Sequence, residues 1–491
     1  MQIQLADNTI AKYQPKGVAK AVEILNKAVE DKFLVYGDPD PDGLYASYCI
    51  IQLLKRFNKK YKYHINENRE HGFKLPIDDS LRDYTIIAVD FTITTEEMQA
   101  LDEVGARVIN IDHHEIAETK LYTTNNGVII NNQYCFEPEK WRFLSGAGVV
   151  YAVITSIVPE IDSMDLQGLV GLSLLSDVRV LESEEARFFL NATYKNRSEL
   201  FDYLVQVTKN SKDFTFGSIY IDRNYADFTL HPKLNALFRM NMGMEAMHLM
   251  LRDDATVKVD LDSLKEQQSI VTEKILNSTE TIEYSSLVVK AVPSNTIPEG
   301  VYRYKLTNFT GLACSRSRGT GRTTFLYIRD INDNSCIRGS VRGKYDTVDY
   351  LAIFKKYGIK CAGHHNAFGV ISCDINEVDF EALQAEIQRQ EELNVEDEYR
   401  GRIFETSNLS VFTALKNKEL AVYNAYVRDA KRMYIHYTGN NWEKTAVGKM
   451  WMLNVDGIAV KSFESDLTPE NGYILPTLER GYIQYYLKRL A

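Results

Sequence analysis

The sequence predicts an α/β domain built on a mostly parallel sheet, followed by a connecting helix, a smaller α/β part and a β-rich C-terminal block. Two observations carry this. Helix-like and strand-like segments alternate through the first 115 residues. Several of the apolar runs also end on acidic residues or histidines, and ligands of parallel sheets sit beyond the carboxyl ends of strands. At roughly 150 residues per domain, 491 residues amount to about three domains.

The elements follow in order. Val18, Ala21, Val22, Leu25, Ala28 and Val29 recur at helical spacing before the apolar run Phe33–Tyr36. A helix follows Gly43, and strands are expected at Tyr61–Ile65, Tyr84–Phe91 and Arg107–Ile111. Residues 145–250 read as largely helical, and Asp260 to about Thr281 reads as a connecting helix. Strands resume at 285–291 and 323–342, with a hairpin turn at 330–334, and Glu377–Glu398 is a polar helix or linker. The expected division is 1–255, 256–283 (connecting helix), 284–376, 377–401 (linker) and 402–491. The last block holds 12 Lys and Arg against 9 Asp and Glu. It also carries Tyr423, Tyr426, Tyr434, Tyr437, Trp442, Trp451, Tyr473, Tyr482, Tyr485 and Tyr486. These aromatics form either a stacking platform for single strands or the core of a small β-rich domain.

Composition excludes some classes. Six scattered cysteines include no C-x-x-C pair, which argues against a zinc ribbon or thioredoxin-type site and fits a reducing compartment. No secretory signal opens the chain, and the most apolar run, Val149–Val158, is too short to span a bilayer. A soluble cytoplasmic protein without a membrane partner is expected. The net charge of −10 disfavours a general nucleic-acid coat and leaves room for a local basic groove.

The strongest chemical signal is Gly37-Asp-Pro-Asp-Pro-Asp-Gly43. Proline disfavours the α region for the residue before it, so Asp38 and Asp40 should be extended, and extended residues at i, i+2 and i+4 point one way. Asp38, Asp40 and Asp42 would then converge, which needs cations; the bland alternative is an acidic loop capping the next helix through Asp42. Asp90 ends the run Ile86–Val89, and Asp112-His113-His114 ends Val108–Ile111. Mixed carboxylate and imidazole ligands suit Mn²⁺, with Mg²⁺ where oxygen dominates. Asp177, after an apolar helix-like run, completes the set.

This D-x-D-x-D-G, strand-terminal Asp, D-H-H and later Asp resembles the DHH phosphoesterase superfamily. Leu144-Ser-Gly-Ala-Gly-Val149, Pro232-Lys-Leu-Asn-Ala236 with Arg239-Met240, and Ala362-Gly-His-His-Asn-Ala-Phe-Gly369 are similar to segments of RecJ-type nucleases and their DHHA1 partner domain. The resemblance implies a DHH domain, then a smaller α/β DHHA1 domain. It implies two divalent ions, one on Asp38, Asp40 and Asp90 and one on Asp42, Asp90, His113 and Asp177. His114 would face the scissile phosphate, with Asp112 orienting the pair, and water would attack in line. It implies substrate contacts from Arg338, Ser340, Arg342, Gly363 and His364, with Asn235 and Arg239 on the catalytic side; Arg316, Arg318 and Arg322, among small residues, either extend the basic track or form a solvated basic loop. Tyr36 stands where many relatives carry a metal-binding His, and Lys233 replaces an Arg. The implied activity is metal-dependent exonucleolytic hydrolysis of single-stranded DNA, 5′ to 3′, releasing mononucleotides. Repair or replication proteins are expected at the C-terminal domain. The alternatives are an oligoribonuclease or cyclic-dinucleotide phosphodiesterase, and a non-enzymatic scaffold.

Overall fold

The computed structural model describes residues 15–114, 123–134, 141, 143–177, 184–209, 221–253, 259–293, 305–317, 321–329, 337–399, 403–407, 409, 434–448, 450–479 and 482–488. The chain forms two compact units, Met1–Lys265 and Glu266–Ala491.

In the first unit, β1 (Phe33–Gly37), β2 (Tyr61–Ile65), β3 (Thr85–Val89), β4 (Arg107–Asp112) and β5 (Gly127–Asn131) make a parallel sheet in the order β2-β1-β3-β4-β5. Every residue of β1, β3 and β5 is buried, which is why such strands read as unbroken apolar runs. Strand β5 is an element the sequence reading did not anticipate. Val35, Ile87 and Ile109 face one core; Tyr36, Ala88 and Val108 face another. Helix α1 (Val18–Asn26) precedes β1, while α2 (Pro41–Arg56) connects β1 to β2 and α3 (Thr95–Glu103) connects β3 to β4. They are followed by α4 (Gly146–Ile157), α5 (Met164–Ser176), α6 (Glu184–Lys195), α7 (Glu199–Thr208), α8 (His231–Arg239) and α9 (Gly243–Met250). Strand order reverses between β1 and β3, so their carboxyl ends form the crevice where α/β sheets hold ligands.

The aspartates after β1 converge by a different route from the one expected. Asp40 is extended (φ −149°, ψ 176°) and caps α2, accepting from Gly43 N at 3.0 Å, with Pro41 at the first helical position. Asp42 therefore lies inside the first turn of α2 and is not the cap. Proline's fixed φ suits a helix start, so the helix begins two residues earlier than Gly43 suggested.

Helix α10 (Leu261–Asn277) leads into the second unit. There β6 (Glu280–Glu283), β7 (Leu287–Val292), β8 (Thr323–Arg329), β9 (Ile337–Arg342), β10 (Lys360–His364) and β11 (Ala367–Ser372) form a sheet in the order β10-β11-β9-β8-β7-β6. With them go α11 (Thr310–Arg316), α12 (Tyr350–Lys356) and α13 (Phe380–Tyr399). Leu383 and Ile387 of α13 belong to the core with Phe325, Val341 and Phe354, and buried Glu391 accepts from Thr323 Oγ1 and Tyr350 OH. The expected turn at 330–334 lies outside the described residues.

The C-terminal strands β12 (Ile403–Thr406), β13 (Tyr434–Tyr437), β14 (Trp442–Val447), β15 (Met450–Val455), β16 (Ile458–Ser462), β17 (Tyr473–Glu479) and β18 (Tyr482–Lys488) form a mixed sheet. Tyr437 and Tyr485 are buried in its core. Tyr473 and Tyr486 are only half buried: Tyr473 pairs with the His436 ring, and Tyr486 stacks on Phe463 beneath Lys461. Tyr423 and Tyr426 lie outside the described residues. Among the described residues no helix is long and apolar enough to cross a membrane.

Candidate metal centre

The ends of β1, β3 and β4 bring six of the sequence-singled carboxylates and imidazoles to one place, and α2 and α5 supply the rest. Donor atoms of Asp38, Asp40 and Asp90 lie within 4.8 Å of one another, as do those of Asp42, His113 and Asp177. A third such group joins Asp90 to Asp112, His113 and His114. His113 Nε2 is 3.2 Å from Asp90 Oδ1, 3.7 Å from Asp177 Oδ2 and 3.9 Å from Asp42 Oδ2. Asp90 is thus the hub. It leaves β3 in the left-handed region (φ 68°), which L residues occupy at a cost of order 1–3 kcal/mol and which is enriched at functional sites.

Local structure explains each position. Asp42 accepts from Gly146 N and Ala147 N at 2.8 Å each and from the Ser173 hydroxyl, so the start of α4 and the end of α5 hold it. Glycine is required at 146 because a Cβ there would fall 2.3 Å from Asp90 Oδ1. The Ser-Gly-Ala-Gly segment is therefore a cradle for two carboxylates. Asp112 accepts from Thr92 Oγ1, from the backbone N–H groups of His113 (2.7 Å) and His114 (3.2 Å), and lies 2.8 Å from His114 Nδ1. Asp177 caps the end of α5.

Electrostatics separates these groups. Burial, then the charges of Asp177 and Asp40, pushes Asp42 up to about 7. Burial and the surrounding carboxylates raise Asp90 well above the ordinary range. Burial raises Asp40 as well, with Asp38 adding to it. Asp112 goes the other way: burial works against its charge, but the two imidazoles and the Thr92 hydroxyl overcome it and hold the carboxyl low. Burial likewise disfavours the His114 cation, yet Asp112 lifts that imidazole to about 10. Asp38 Oδ1 and Asp90 Oδ1 are buried without a hydrogen-bond partner among the described residues. Buried carboxylate oxygens left bare and crowded by like charge call for cations. An oxygen-rich set with one imidazole fits Mn²⁺ or Mg²⁺.

Tyr36 takes no part in this cluster. It is fully buried on the opposite core, where its hydroxyl bonds Asn66 Oδ1 and accepts from Lys74 N at 3.0 Å. Lys233 is likewise structural: its ammonium donates to Thr208 O at 2.6 Å at the end of α7 and pairs with Asp262 at 2.5 Å. Asn235 and Arg239 are half buried on α8.

In the second unit, β9, β10 and β11 assemble the other named residues. Arg338, Ser340 and Arg342 alternate with core residues Ile337 and Val341, so they share the face away from that core. Register places Arg342 opposite Ala367 and Ala367 opposite His364, while Ser340 faces Gly369 and Gly369 faces Ala362. Small residues thus form a floor between Arg342 and His364. Gly363 has φ +135°, and a Cβ there would meet the Phe368 backbone at 2.9 Å. His365 is tied through Nε2 to Asp346 O at 2.7 Å, which leaves His364 as the ring of the pair on this face. Arg322 does not join a basic track: it holds Tyr284 O and Glu283 instead, and Arg316 bonds Ser269. Arg318 lies outside the described residues.

Several contributors were missed from sequence. Thr92, Ser173 and His71 touch Asp112, Asp42 and Asp38, and in the second unit Thr310 bonds Ser340 while Ser315 accepts from Arg342 Nε at 3.1 Å. A polar Ser173 inside the apolar run of α5 was the one visible signal.

Residues 32–172 match the DHH family, N-terminal domain. This segment is a DHH domain. The chain is 26% identical over 226 residues to the SPbeta prophage-derived protein YorK of Bacillus subtilis, covering 45% of this chain and 38% of that protein. It is 24% identical over 295 residues to the single-stranded-DNA-specific exonuclease RecJ of Bacillus subtilis, covering 57% and 36%. The matched segments therefore span little more than a third of these relatives. The crystal structure of RecJ from Thermus thermophilus with Mn²⁺ has the same fold, at a TM-score of 0.67 and 17% identity over 97% of this chain and 71% of that one.

Proposed function

We propose that the chain is a metal-dependent exonuclease that hydrolyses single-stranded DNA from the 5′ end to mononucleotides, in the cytoplasm. The observation that carries this reading is the pair of donor groups Asp38–Asp40–Asp90 and Asp42–His113–Asp177, brought together at the β1/β3 crevice by the 3.2 Å approach of His113 Nε2 to Asp90 Oδ1. Asp38, Asp40 and Asp90 would hold one divalent ion, and Asp42, Asp90, His113 and Asp177 a second, with Mn²⁺ preferred over Mg²⁺. When bound, such ions neutralise phosphate charge and lower the pKa of attacking water. The chain's own residues do the rest. Asp112 keeps His114 cationic and turned toward the phosphate, where it offsets developing negative charge. Arg342, Ser340, Gly363 and His364, with Arg338 on the same strand, would receive the strand's phosphates, Arg by its planar fork. Asn235 and Arg239 would line the catalytic side. The domain borders given from the sequence belong to this proposal, as does nucleic-acid binding by the C-terminal sheet.

Similarity to a relative named as a single-stranded-DNA-specific exonuclease supports single strands, rather than dinucleotides, as the substrate proposed for this chain. The test is degradation of end-labelled single strands of both polarities, DNA and RNA, with Mn²⁺, Mg²⁺ or EDTA. Mn²⁺-dependent loss of nucleotides from the 5′ end of DNA is expected. Intact strands under every divalent ion would refute the proposal, and preferential turnover of dinucleotides would redirect it to the oligonucleotide phosphodiesterases.

A further inference from the structure

His71 stands beside the metal centre but belongs to none of the strands that build it. Its Nδ1 lies 2.7 Å from Asp38 Oδ2, while Asp38 Oδ1 is buried and has no hydrogen-bond partner among the described residues. The carboxylate is therefore divided: one oxygen is held by the imidazole and the other is left for a ligand. The loop that carries His71 is fixed on both sides of it. Asn66 Nδ2 donates to Glu70 O at 2.6 Å and to Gly72 O at 2.7 Å, and Asn66 Oδ1 is bonded in turn by the buried Tyr36 hydroxyl. Tyr36 also receives Lys74 N, so it clasps the far end of the same loop. Two successive residues, Asn68 and Arg69, are held left-handed (φ 54° and 52°), and Asn68 N is anchored to Asn241 Oδ1 at 2.6 Å. A mostly exposed imidazole is thus delivered to a buried carboxylate by a strained, internally bonded loop, which is the kind of strain that persists where surrounding structure over-determines it.

We propose that His71 is a positioning residue of the metal centre, which occupies Asp38 Oδ2 so that Asp38 meets a divalent ion through Oδ1 alone. Tyr36 serves the same end indirectly, by pinning the loop that presents the imidazole. The consequence is selectivity. A carboxylate restricted to one oxygen suits the six-coordinate geometry of Mn²⁺ or Mg²⁺, whereas a carboxylate free to offer both oxygens accommodates the larger, seven- or eight-coordinate Ca²⁺. The inference rests on the metal-centre reading above and specifies one residue within it.

The test is calorimetric titration of the full chain with Mn²⁺ and, separately, Ca²⁺, for the wild type, His71→Ala and His71→Asn. Partners of ligating groups commonly contribute ~10–100-fold in metal affinity. His71→Ala should weaken one of two Mn²⁺ sites by that factor, leave the other unchanged, and narrow the preference for Mn²⁺ over Ca²⁺. His71→Asn should restore both affinity and preference, because Asn Nδ2 can stand where His Nδ1 stood. Wild-type Mn²⁺ affinity in His71→Ala, or an Asn variant as weak as the Ala variant, would overturn the inference. Failure of the wild type itself to bind Mn²⁺ would instead overturn the metal-centre reading. If His71→Ala does not fold, the Asn variant and Tyr36→Phe carry the same comparison, the latter expected to weaken the same site.

Discussion

Replacing Gly146 with alanine adds one carbon at the point where the centre is tightest. That Cβ would lie 2.3 Å from Asp90 Oδ1 and 2.7 Å from its Cγ, against an ordinary contact of 3.4–4 Å. About 1 Å of movement is needed, and the neighbours limit where it comes from. The helix cannot retreat without loosening the Gly146 and Ala147 amides from Asp42, so the Asp90 carboxylate has to swing. Asp90 takes part in the donor groups with Asp38 and Asp40 and with His113, so the swing disturbs both ends of the centre at once. Overpacking of this kind typically costs about 1–3 kcal/mol, partly offset by about 1 kcal/mol of helix propensity gained on replacing glycine. The metal-free protein should therefore lose at most ~2 kcal/mol in urea denaturation and remain folded, while Mn²⁺ affinity by calorimetry falls more than tenfold. A Gly146→Ala protein that bound Mn²⁺ as tightly as the wild type would refute the assignment of Asp90 as hub.

Three further outcomes follow from the same geometry. Asp42 is raised to about 7 in the folded state from an ordinary 3.8, so folded protein keeps a proton that the unfolded chain has released. Its contribution is present below about pH 4 and is lost as pH rises to about 7, on the order of 4 kcal/mol, whereas Asp112, held low, contributes above pH 4 and loses that only on acidification. Metal-free protein should accordingly be less stable in urea at pH 7 than at pH 5, and Mn²⁺ should reverse that order; equal stability with and without the ion would count against the site. Asp112→Asn should drop His114 from about 10 toward the ordinary imidazole range, seen by NMR titration of its ring, and nuclease activity should gain an alkaline limb near neutrality. Lys233→Met leaves the end of α7 uncapped and Asp262 without its cation, so thermal denaturation should report a loss of about 2–3 kcal/mol while Mn²⁺ affinity holds.

What was legible in the sequence was whatever is written in contiguous residues. Asp38, Asp40, Asp42, Asp90, Asp112, His113 and Asp177 stood out because strand ends and an unusual D-P-D-P-D run advertise them; the structure groups Asp38, Asp40 and Asp90 together, but sets Asp90 with Asp112, His113 and His114 rather than with Asp42 and Asp177. The reason given for their convergence was only half right: Asp40 is extended, but Asp42 reaches the centre from a helical turn that proline starts early. Strand β5 went unread although it is as long as β1, β2 and β3, and no acidic residue or histidine at its carboxyl end drew attention to it. His71, Thr92 and Ser173 were invisible for another reason. Each acts across 20 to 131 residues of chain through a single polar side chain, and such a contact leaves no local pattern. Arg322 shows the converse: a basic cluster in sequence left a track and a basic loop equally open, and only the structure shows its guanidinium holding Glu283 and the turn before β7.

The treatment of the two most perturbed carboxylates explains how a folded chain tolerates this much buried acidity. Asp42 is compensated only in part: two amides at the start of α4 and one hydroxyl bond it and the positive end of that helix dipole favours its charge, yet burial and the charges of Asp177 and Asp40 still raise it to about 7. Asp90 is placed differently: its Oδ1 accepts no hydrogen bond among the described residues although His113 Nε2 stands 3.2 Å away, its backbone is left-handed, and glycine at 146 makes room for it. Both carboxylates are thus crowded beyond what the fold's own donors offset, and a bound cation would stabilise each of them. The net charge of −10 is therefore a poor guide to this protein's partners. Part of that acidity is concentrated at one crevice where cations would neutralise it, while Arg338 and Arg342 lie on another sheet, on a face whose floor is alanine and glycine. Negative charge in the total and the proposed binding of a polyanion are compatible because the two would reside in different parts of the fold.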